Sequence, residues 1–476
     1  MRWLNVAPHV IAFSLVGFLR HAITGGDLWV RMASGRLVLE KLAVPRHDPF
    51  SFTAFGRPWI DHEWAMGVLL YGLYSVHYEL VVVVFSALAI APFALMHWHA
   101  LKTGAASLST AGIVAVAIAA AWRNYPPRPA LVNPLLFAIL LILIDRHRSR
   151  PSSLGTIGPY AVPSIALAVP LMFLWANLQA GFLAGLAALG VWTVACFVEK
   201  RDRLLALVIT TASAGVGLLN AYGWDLYSYT LRAIASNTPD RQYVQEWLSA
   251  DFHDPTNWPM LPAIALAVYF GARRMDVFRQ MLLIGTLIAA LSSMRYQPFF
   301  AVSLIFAVAP LLQATVPAEP EGATGRRLTA MLRFATVPVA SVAVVLFLLT
   351  AGPSTTKSEA TAGVAFLRAN CPSEHVLSSI DFSSWLVYEK FPVFVDGRTN
   401  QVYSNELMRD YFELDRTKGD WESTLDKYGI DTVMYEKDAS LVEALAGRGW
   451  RKVFEGDEEA ILTRPGAGCG SGPGQR

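Results

Sequence analysis

The chain has 476 residues, of which 54% are hydrophobic and 16% are charged. Soluble proteins carry about 25% charged residues, so this composition excludes a chain that is soluble along its whole length and indicates a polytopic membrane protein. A formal net charge of only +2 gives no electrostatic reason to expect binding to nucleic acid.

Apolar runs close to the length that spans a bilayer recur through most of the chain and predict about twelve transmembrane helices. The first run follows Met1 and Arg2 without a cleavable signal, so we expect it to remain as a span. No internal repeat suggests the inverted halves of a transporter. The runs cover residues 5–22, 65–79, 80–101, 107–122, 131–145, 162–176, 181–198, 204–221, 257–272, 277–293, 297–316 and 332–351.

We therefore predict a mainly α polytopic membrane protein with a small C-terminal extracytoplasmic α/β domain. The transmembrane domain covers residues 1–352 and includes a long first external loop at 23–64. The soluble domain covers 353–465, where helix patterns alternate with short β-rich runs, and a flexible tail follows at 466–476.

Three cysteines, Cys196, Cys371 and Cys469, lie far apart in the sequence. Their spacing predicts neither a metal site nor a disulfide framework. No motif in the chain indicates an organic cofactor.

The orientation follows from short loops rich in Lys and Arg, which stay in the cytoplasm. Those loops lie at residues 146–150, 200–203, 272–279 and 325–327. They place the C-terminal domain and the segments 177–181, 222–257 and 295–298 on the extracytoplasmic side. Between Trp64 and Arg146 the sequence shows four apolar runs where this orientation needs an odd number. The topology between residues 65 and 145 therefore stays open, with either 65–79 or 131–145 half-inserted.

The first external loop is polar and carries ionisable groups next to both flanking apolar runs. Asp27 follows a glycine pair behind the first run, and Asp61, His62 and Glu63 precede the second. Ionisable groups at the membrane surface are functional candidates by default. Residues 27–42 predict an amphipathic helix in the interface plane, whose N-terminus favours an ionised Asp27. The alternative is that Asp27 only caps this helix.

Three arginines at predicted external helix ends are candidates for binding phosphate, because guanidinium presents a planar fork to phosphate oxygens. They are Arg123 and Arg128, in a proline-rich connection, and Arg295. The alternative is that these side chains only snorkel to the interface.

Polar amides interrupt a predicted helical hairpin at Asn177 and Gln179. They are candidates for binding a sugar, or they simply end one helix and begin the next. In the segment 222–257, the run Asp251 to Asp254 has weak metal-ligand character, and ordinary loop polarity is the favoured interpretation.

The order of features in the first loop resembles that of the GT-C membrane glycosyltransferases and is most similar to the oligosaccharyltransferase catalytic subunits. Those features are Asp27 and its helix, Pro45, Asp48-Pro49, Gly56-Arg57-Pro58-Trp59 and the acidic residues before the second run. The resemblance implies an enzyme that transfers a sugar from a polyprenyl-phosphate carrier at the extracytoplasmic face of a bacterial inner or plasma membrane. Membrane lipids are partners, and the acceptor (protein, lipid or glycan) and the sugar stay unidentified.

The resemblance assigns a role to each candidate. It makes Asp27 the catalytic base or the contact for a metal ion, either Mg²⁺ or Mn²⁺, with Asp61, His62 and Glu63 assisting. Arg123, Arg128 and Arg295 then face the donor phosphate. The chain departs from the family in its second external loop, which lacks the acidic motif that would complete a metal site.

The segment from Ser379 to Asn400 has the layout of the family's acceptor-recognition segment. Asp381 and Asp396 match by position, with Arg398 beside them, but the double tryptophan and the glycine of the motif are missing. The alternative is an ordinary turn with a paired Asp and Arg. Two rival functions also stand: a catalytically inactive binding or scaffold protein with the same fold, and a transporter of lipid or polysaccharide.

Overall fold

The computed structural model describes residues 27–105, 107–125, 127–149, 154–157, 160–235, 245–273, 275–312, 360–371 and 375–467. The chain divides into two compact units. The bundle unit contains Met1–Ala22, Tyr78–Trp224 and Gln245–Ser354. The sheet unit contains Ile23–His77, Asp225–Val244 and Thr355–Arg476. The first external loop and the C-terminal segment therefore belong to the same unit.

The bundle unit consists of apolar helices that follow the predicted runs closely. In the described part of the chain they are α3 (Tyr78–Lys102), α4 (Ser107–Ala120), α5 (Val132–Ser149), α6 (Ala168–Leu178), α7 (Phe182–Val198), α8 (Arg203–Val216), α10 (Met260–Gly271), α11 (Val277–Ser292) and α12 (Gln297–Val308). A short antiparallel hairpin, β1 (Leu154–Ile157) with β2 (Tyr160–Pro163), separates α5 from α6. Helix α9 (Trp224–Ala235) leads from the bundle unit into the sheet unit.

Three described helical segments are long and apolar enough to cross a bilayer. They are Tyr78–Lys102, Pro129–Ser149 and Met294–Leu311. Seven shorter apolar helices accompany them. The predicted runs at 5–22 and 332–351 lie outside the described residues, so the predicted count of about twelve spans is not confirmed.

A group of ion pairs lies at one end of the bundle helices. Near the end of α5, Asp145 accepts a hydrogen bond from Arg279 at 2.5 Å and lies 2.9 Å from His99 Nε2. Arg148 donates to Glu199 at 2.9 Å. We call these ion pairs the Asp145 group, and it also includes Asp276 and Asp202. Three of the predicted cytoplasmic basic loops contribute residues to it.

Arg128 lies at the opposite end of the same segment, directly before Pro129. The segment Pro129–Ser149 has 21 residues, which at 1.5 Å per residue gives about 30 Å. That length matches the hydrocarbon core of a bilayer. The bundle unit thus carries charged side chains at two levels that are one membrane core apart.

The ends of α3 and α5 favour an odd number of spans in the region between residues 65 and 145. Because His99 and Asp145 meet, α3 and α5 end at the same level, and α4 returns between them. Three helices therefore connect Tyr78 to Arg146, the odd number that the charge distribution requires. The apolar run at 65–79 forms mainly α2 (Trp64–Val76), which belongs to the sheet unit.

In the sheet unit, α1 (Asp27–Lys41) crosses α2 at very close range. A Cβ on Gly35 would lie 2.1 Å from the Gly67 carbonyl oxygen, and a Cβ on Gly67 would lie 2.6 Å from the Arg31 carbonyl oxygen. Two backbones approach this closely only where side chains are absent. The first two turns of α1, from Leu28 to Ser34, are buried on every side. The prediction of an interfacial helix with one polar face is therefore wrong for this half of α1.

The C-terminal part of the sheet unit is a four-stranded sheet in the order β3-β4-β6-β5, covered by helices. Strand β3 pairs in parallel with β4, and β6 pairs antiparallel with β4 and β5. The predicted α/β layer domain is present here. Its strands are β3 (Val376–Ser378), β4 (Thr432–Glu436), β5 (Arg451–Glu455) and β6 (Glu459–Thr463), and its helices are α13 (Thr361–Asn370), α14 (Ile380–Tyr388), α15 (Asn405–Asp415), α16 (Trp421–Lys427) and α17 (Ser440–Gly447).

The middle of the first loop is built into the core of this domain. Phe52 N donates to the Val393 carbonyl at 3.0 Å, and Val393 N donates to the Phe50 carbonyl at 3.2 Å. Ala54 and Trp59 are buried among the apolar side chains of the sheet and its helices. Backbone pairing and apolar burial thus make residues from two ends of the chain into one folding unit.

The structure shows the oxidation state of two of the three cysteines. Cys371 is disulfide-bonded, and Cys196 is free and buried. The partner of Cys371 lies outside the described residues. The spacing of the three cysteines predicted no disulfide framework and gave no sign of this single bridge.

Candidate functional site

The predicted acidic residues of the first loop gather around Arg31 in the sheet unit. Arg31 Nη1 donates to Asp61 Oδ1 at 3.3 Å, and its Nε lies 2.5 Å from Glu63 Oε2. Asp61 also accepts hydrogen bonds from the Ser34 hydroxyl and from the backbone N–H of Glu63. We call Arg31, Asp61, His62 and Glu63 the acid cluster. It is buried, with Arg31 only 2% exposed.

His62 completes this cluster on its other side. Its Nε2 lies 3.8 Å from Glu63 Oε1, and its ring packs against Tyr229 of α9 with centroids 5.4 Å apart. A histidine beside a carboxylate can take and release protons near neutral pH. The cluster therefore combines a proton carrier, two carboxylates and one fixed cation.

Asp27 is the first residue of α1, one helical turn before Arg31. Its side chain lies outside the described part of the structure, so its catalytic role stays a prediction. Arg31 was not predicted as a site residue. Its spacing of four residues from Asp27 was the available signal, because residues i and i+4 of a helix lie on the same face.

The donor groups do not favour a metal ion in the part of the chain that the structure describes. No three His, Cys, Asp or Glu side chains of that part are placed to hold one. The carboxylates of Asp61 and Glu63 are paired with the Arg31 guanidinium. The Mg²⁺ or Mn²⁺ contact at Asp27 stays a prediction.

Two of the predicted phosphate-binding arginines meet in the bundle unit. Arg128 and Arg295 bind opposite oxygens of Glu246, Arg295 at 3.0 Å. The guanidinium of Arg295 also lies 4.4 Å from the centroid of the Trp247 ring. Against the effect of burial, Arg295 and Arg128 hold the pKa of Glu246 below its usual value. We call Arg128, Glu246 and Arg295 the arginine cluster.

The arginine cluster keeps part of its surface open. The side chains of Arg128, Arg295 and Glu246 are 21%, 30% and 26% exposed. Two guanidinium groups on one carboxylate leave an excess of positive charge. Such a site can accept an anion such as phosphate. Nothing local in the sequence distinguishes Glu246 from the other polar residues of the segment 222–257.

Arg123 lies apart from this pair of arginines within the bundle unit. It donates to Asp254 at 3.0 Å and to the Thr256 hydroxyl, and its guanidinium lies 5.5 Å from the Trp122 ring. Asp254 caps the 3₁₀ turn Pro255–Asn257. Arg123 therefore helps hold the external segment 245–257, and its role toward phosphate stays a prediction.

The two predicted sugar-binding amides have different surroundings. Gln179 is 2% exposed and accepts hydrogen bonds from Asn133 Nδ2 at 2.9 Å and from the Gly181 N–H. Trp175 donates to the same Asn133 at 2.8 Å. Gln179 thus belongs to a buried hydrogen-bond network that joins α5 to α6. Asn177 is half-buried and bonds the Phe173 and Leu219 carbonyls.

Asp396 and Arg398 form a buried pair rather than an accessible surface. Arg398 binds both oxygens of Asp396 and donates through Nη1 to Asp48 at 2.7 Å. All three side chains are fully enclosed. No face of Asp396 or Arg398 is left for a substrate, and the alternative interpretation, an Asp–Arg pair in a turn, describes them.

Asp381 is exposed in the first turn of α14. Two further carboxylates, Asp415 and Glu436, lie close enough to interact with it. Burial raises the pKa of Glu436, against a hydrogen bond from Ser379, and the negative charges of Asp381 and Asp415 raise it further. Asp381 is therefore placed beside like charges, and its role in acceptor binding stays a prediction.

The chain resembles several solved structures over nearly its whole length. No family model and no curated protein matches the chain. The crystal structure of ArnT from Cupriavidus metallidurans bound to undecaprenyl phosphate matches with a TM-score of 0.51 and 14% identity, over 98% of this chain and 98% of ArnT. The cryo-EM structure of the arabinofuranosyltransferase AftD from Mycobacteria matches with a TM-score of 0.52 and 15% identity, over 97% of this chain and 40% of AftD. Both proteins are glycosyltransferases of the GT-C superfamily.

The chain therefore has the same fold as ArnT over nearly its whole length. The apo structure of ArnT agrees, with a TM-score of 0.50 over 96% of this chain. The predicted resemblance to GT-C proteins is confirmed at the level of the fold, and the apolar helices support the predicted membrane localisation. At 13–15% identity the fold alone is shared with these proteins.

Proposed function

We propose that this protein is a membrane glycosyltransferase that transfers a sugar from a polyprenyl-phosphate-linked donor to an acceptor at the extracytoplasmic face. The observation that carries the proposal is the GT-C fold, shared over 98% of the chain with ArnT, whose structure holds undecaprenyl phosphate. The fold match supports a transferase over a transporter, because the matching proteins are glycosyltransferases.

The arginine cluster is the proposed site for the donor phosphate. Breaking the bond between the sugar and the phosphate leaves negative charge on the phosphate oxygens. Fixed guanidinium groups stabilise that charge most where water is excluded. Glu246 holds Arg128 and Arg295 together, and Arg128 directly precedes the candidate span Pro129–Ser149. We assign Arg123 to the same role.

The acid cluster and Asp27 are proposed to act on the acceptor. A hydroxyl acceptor needs a general base to remove its proton as it attacks the anomeric carbon. We assign that role to Asp27. His62 and the pair of carboxylates are proposed to receive the proton and to set the charge around it, while Arg31 limits the repulsion between Asp61 and Glu63. Asp381 is assigned to the acceptor side.

The proposed location is a bacterial inner or plasma membrane with the sheet unit outside the cytoplasm. Three predicted cytoplasmic basic loops supply the Asp145 group, one membrane core away from Arg128. The disulfide at Cys371 supports the same side for the sheet unit, since disulfides persist mainly in oxidising compartments.

The test is transfer from a labelled polyprenyl-phosphate sugar by membranes that contain the full chain. Asp27→Asn keeps the size of the side chain but removes the base, so we expect transfer to fall by about 100-fold or more. The matched control is Glu40→Gln on the exposed end of the same helix, which should leave the rate unchanged.

Two results would decide against the proposal. Wild-type turnover in Asp27→Asn would remove the assigned base. Wild-type protein that binds the labelled carrier but transfers no sugar to any acceptor class would instead support an inactive scaffold with a GT-C fold. The inactive scaffold is favoured by one observation, the absence of the acidic motif from the second external loop.

A further inference from the structure

The turn from Asp396 to Gln401 contains a side chain that is enclosed on all sides. Arg398 is 0% exposed, and its guanidinium lies over the rings of Trp59 and Phe50, 4.7 and 5.0 Å from their centroids. It binds Asp396 through Nε and Nη2 and Asp48 through Nη1. A buried cation with this many partners can hold only one conformation.

Asp48 anchors the same arginine to the first external loop. Its carboxylate accepts hydrogen bonds from the Phe50 N–H at 3.0 Å, the Ser51 N–H at 3.3 Å and the Ser51 hydroxyl. The loop is thereby fixed to the turn by one salt bridge whose partners are 350 residues apart in sequence.

The backbone of the turn is held in a costly conformation. Thr399 has φ of 38°, a left-handed value that β-branched residues rarely adopt. Its N–H bonds the Asp396 carbonyl at 3.2 Å, and its carbonyl accepts from the Tyr403 N–H at 3.0 Å. Strain of this kind persists only where the surrounding structure imposes it, and it often marks functional positions.

The side chain that this turn presents is Gln401. Its Oε1 accepts a hydrogen bond from Arg31 Nη2 at 3.2 Å. The other nitrogens of Arg31 face Asp61 and Glu63. A residue of the C-terminal domain therefore binds the central cation of the acid cluster across 370 positions of sequence.

We propose that Gln401 is a positioning residue for the proposed transfer reaction. Held by the Asp48–Arg398–Asp396 bridge, it orients the Arg31 guanidinium so that Glu63 and Asp61 keep their arrangement. The C-terminal domain thus completes the acid cluster rather than only recognising an acceptor. This inference rests on the proposed function for its effect on rate, but its effect on Arg31 does not.

The kinetic test compares two substitutions at one position. Gln401→Leu fills similar space without an acceptor, and Gln401→Glu keeps an acceptor oxygen for Arg31. We expect Gln401→Leu to lower kcat at least about tenfold, because it removes a hydrogen bond to a charged group. The KM for the lipid donor should not change, and Gln401→Glu should restore most of kcat. Equal loss in both variants, or an unchanged kcat in Gln401→Leu, would overturn the proposal.

A second measurement needs no activity. Phenylglyoxal modifies accessible arginines, and mass spectrometry of peptides gives the rate at each site in the full-length protein. We expect Gln401→Leu to speed modification of Arg31, while Arg398 stays unmodified. Faster modification of both would show that Gln401 only holds the turn together and would count against the proposal, as would an unchanged rate at Arg31.

The kinetic and labelling measurements together distinguish a failure of the proposed function from a failure of the positioning role of Gln401. If the wild-type protein transfers no sugar, the proposed function fails, and the labelling of Arg31 still decides whether Gln401 holds that guanidinium. If transfer is present and Asp27→Asn abolishes it while both Gln401 variants behave like wild type, the proposed function stands and the positioning role fails.

Discussion

Arg398 illustrates how the same residue can suit a binding role in sequence and a structural role in the fold. An arginine after a strand, beside two aspartates, is a reasonable candidate for an anionic or polar substrate. In the folded protein, burial alone would raise the pKa of Asp396, but the Arg398 guanidinium holds that pKa below its usual value. Asp396 and Asp48 in turn hold the pKa of Arg398 well above its usual value, against the effect of burial. The charges of these side chains therefore stabilise the folded sheet unit rather than bind a substrate.

At this scale we predict that Arg398→Met strongly destabilises the sheet unit. The substitution leaves Asp48 and Asp396 buried without their cation, and breaking a buried ion pair in this way costs about 3–5 kcal/mol. Thermal unfolding of the full-length protein in detergent measures the effect. Arg409→Met, on the exposed face of α15, is the control and should change stability by less than about 0.5 kcal/mol.

The pH dependence gives the same pair a second readout. Because the folded pKa of Asp396 is depressed, its contribution to stability is present above the pKa of an unfolded aspartate, about 3.9, and is lost as the pH falls through the folded value. The destabilisation by Arg398→Met should therefore shrink in acid. A difference from wild type that stays constant at every pH would contradict this account.

At the scale of elements, the crossing of α1 and α2 determines where the acid cluster lies. Arg31 belongs to α1 and Glu63 directly precedes α2, so their distance depends on how closely the two helices pack. Gly35 and Gly67 allow the backbones to touch. The atoms that a Cβ on Gly35 would meet are all backbone atoms of α2, which have no rotamer to move away.

We predict that Gly35→Ala destabilises the sheet unit by about 1–3 kcal/mol, the usual cost of overpacking. It should also reduce sugar transfer, because separating α1 from α2 moves Arg31 away from Glu63. The matched control is Gly72→Ala in α2, where a Cβ meets nothing within 4 Å. That variant should gain up to about 1 kcal/mol from helix propensity. Equal effects of the two substitutions would argue against the close crossing.

At the scale of the whole molecule, the distribution of charge predicts which segments face the cytoplasm. Lys200 lies between α7 and α8, near the Asp145 group, and Ser249 lies in the segment that carries Glu246. Lys418 is exposed in the sheet unit. The distribution of Lys and Arg among the short loops predicts that Lys200 and Ser249 lie on opposite faces of the membrane.

Labelling of single introduced cysteines checks this topology in intact cells. An impermeant maleimide should label Ser249→Cys and Lys418→Cys without lysis, and Lys200→Cys only after lysis. The background is low because Cys196 is buried and Cys371 is in a disulfide. Labelling of Lys200→Cys from outside would reverse the orientation and remove the proposed extracytoplasmic site.

The sequence by itself determined the class of protein and most of its elements. Helices α3 to α8 and α10 to α12 lie where apolar runs predicted them, because the match between an apolar stretch and the membrane core is a local property. The first-loop acids and the arginines were also identifiable, since charged groups beside apolar runs stand out by composition.

Only the tertiary structure decided which of these polar residues meet. Arg128 and Arg295 share Glu246, and Arg31 binds Gln401. Arg398 joins Asp48 to Asp396. Gln179 is bound within a buried hydrogen-bond network between helices. Each pairing joins residues that are far apart in the chain, and each depends on how helices and loops pack. An isolated arginine looks the same in sequence whether its partner is a substrate phosphate or a buried carboxylate, because the partner is chosen by the fold.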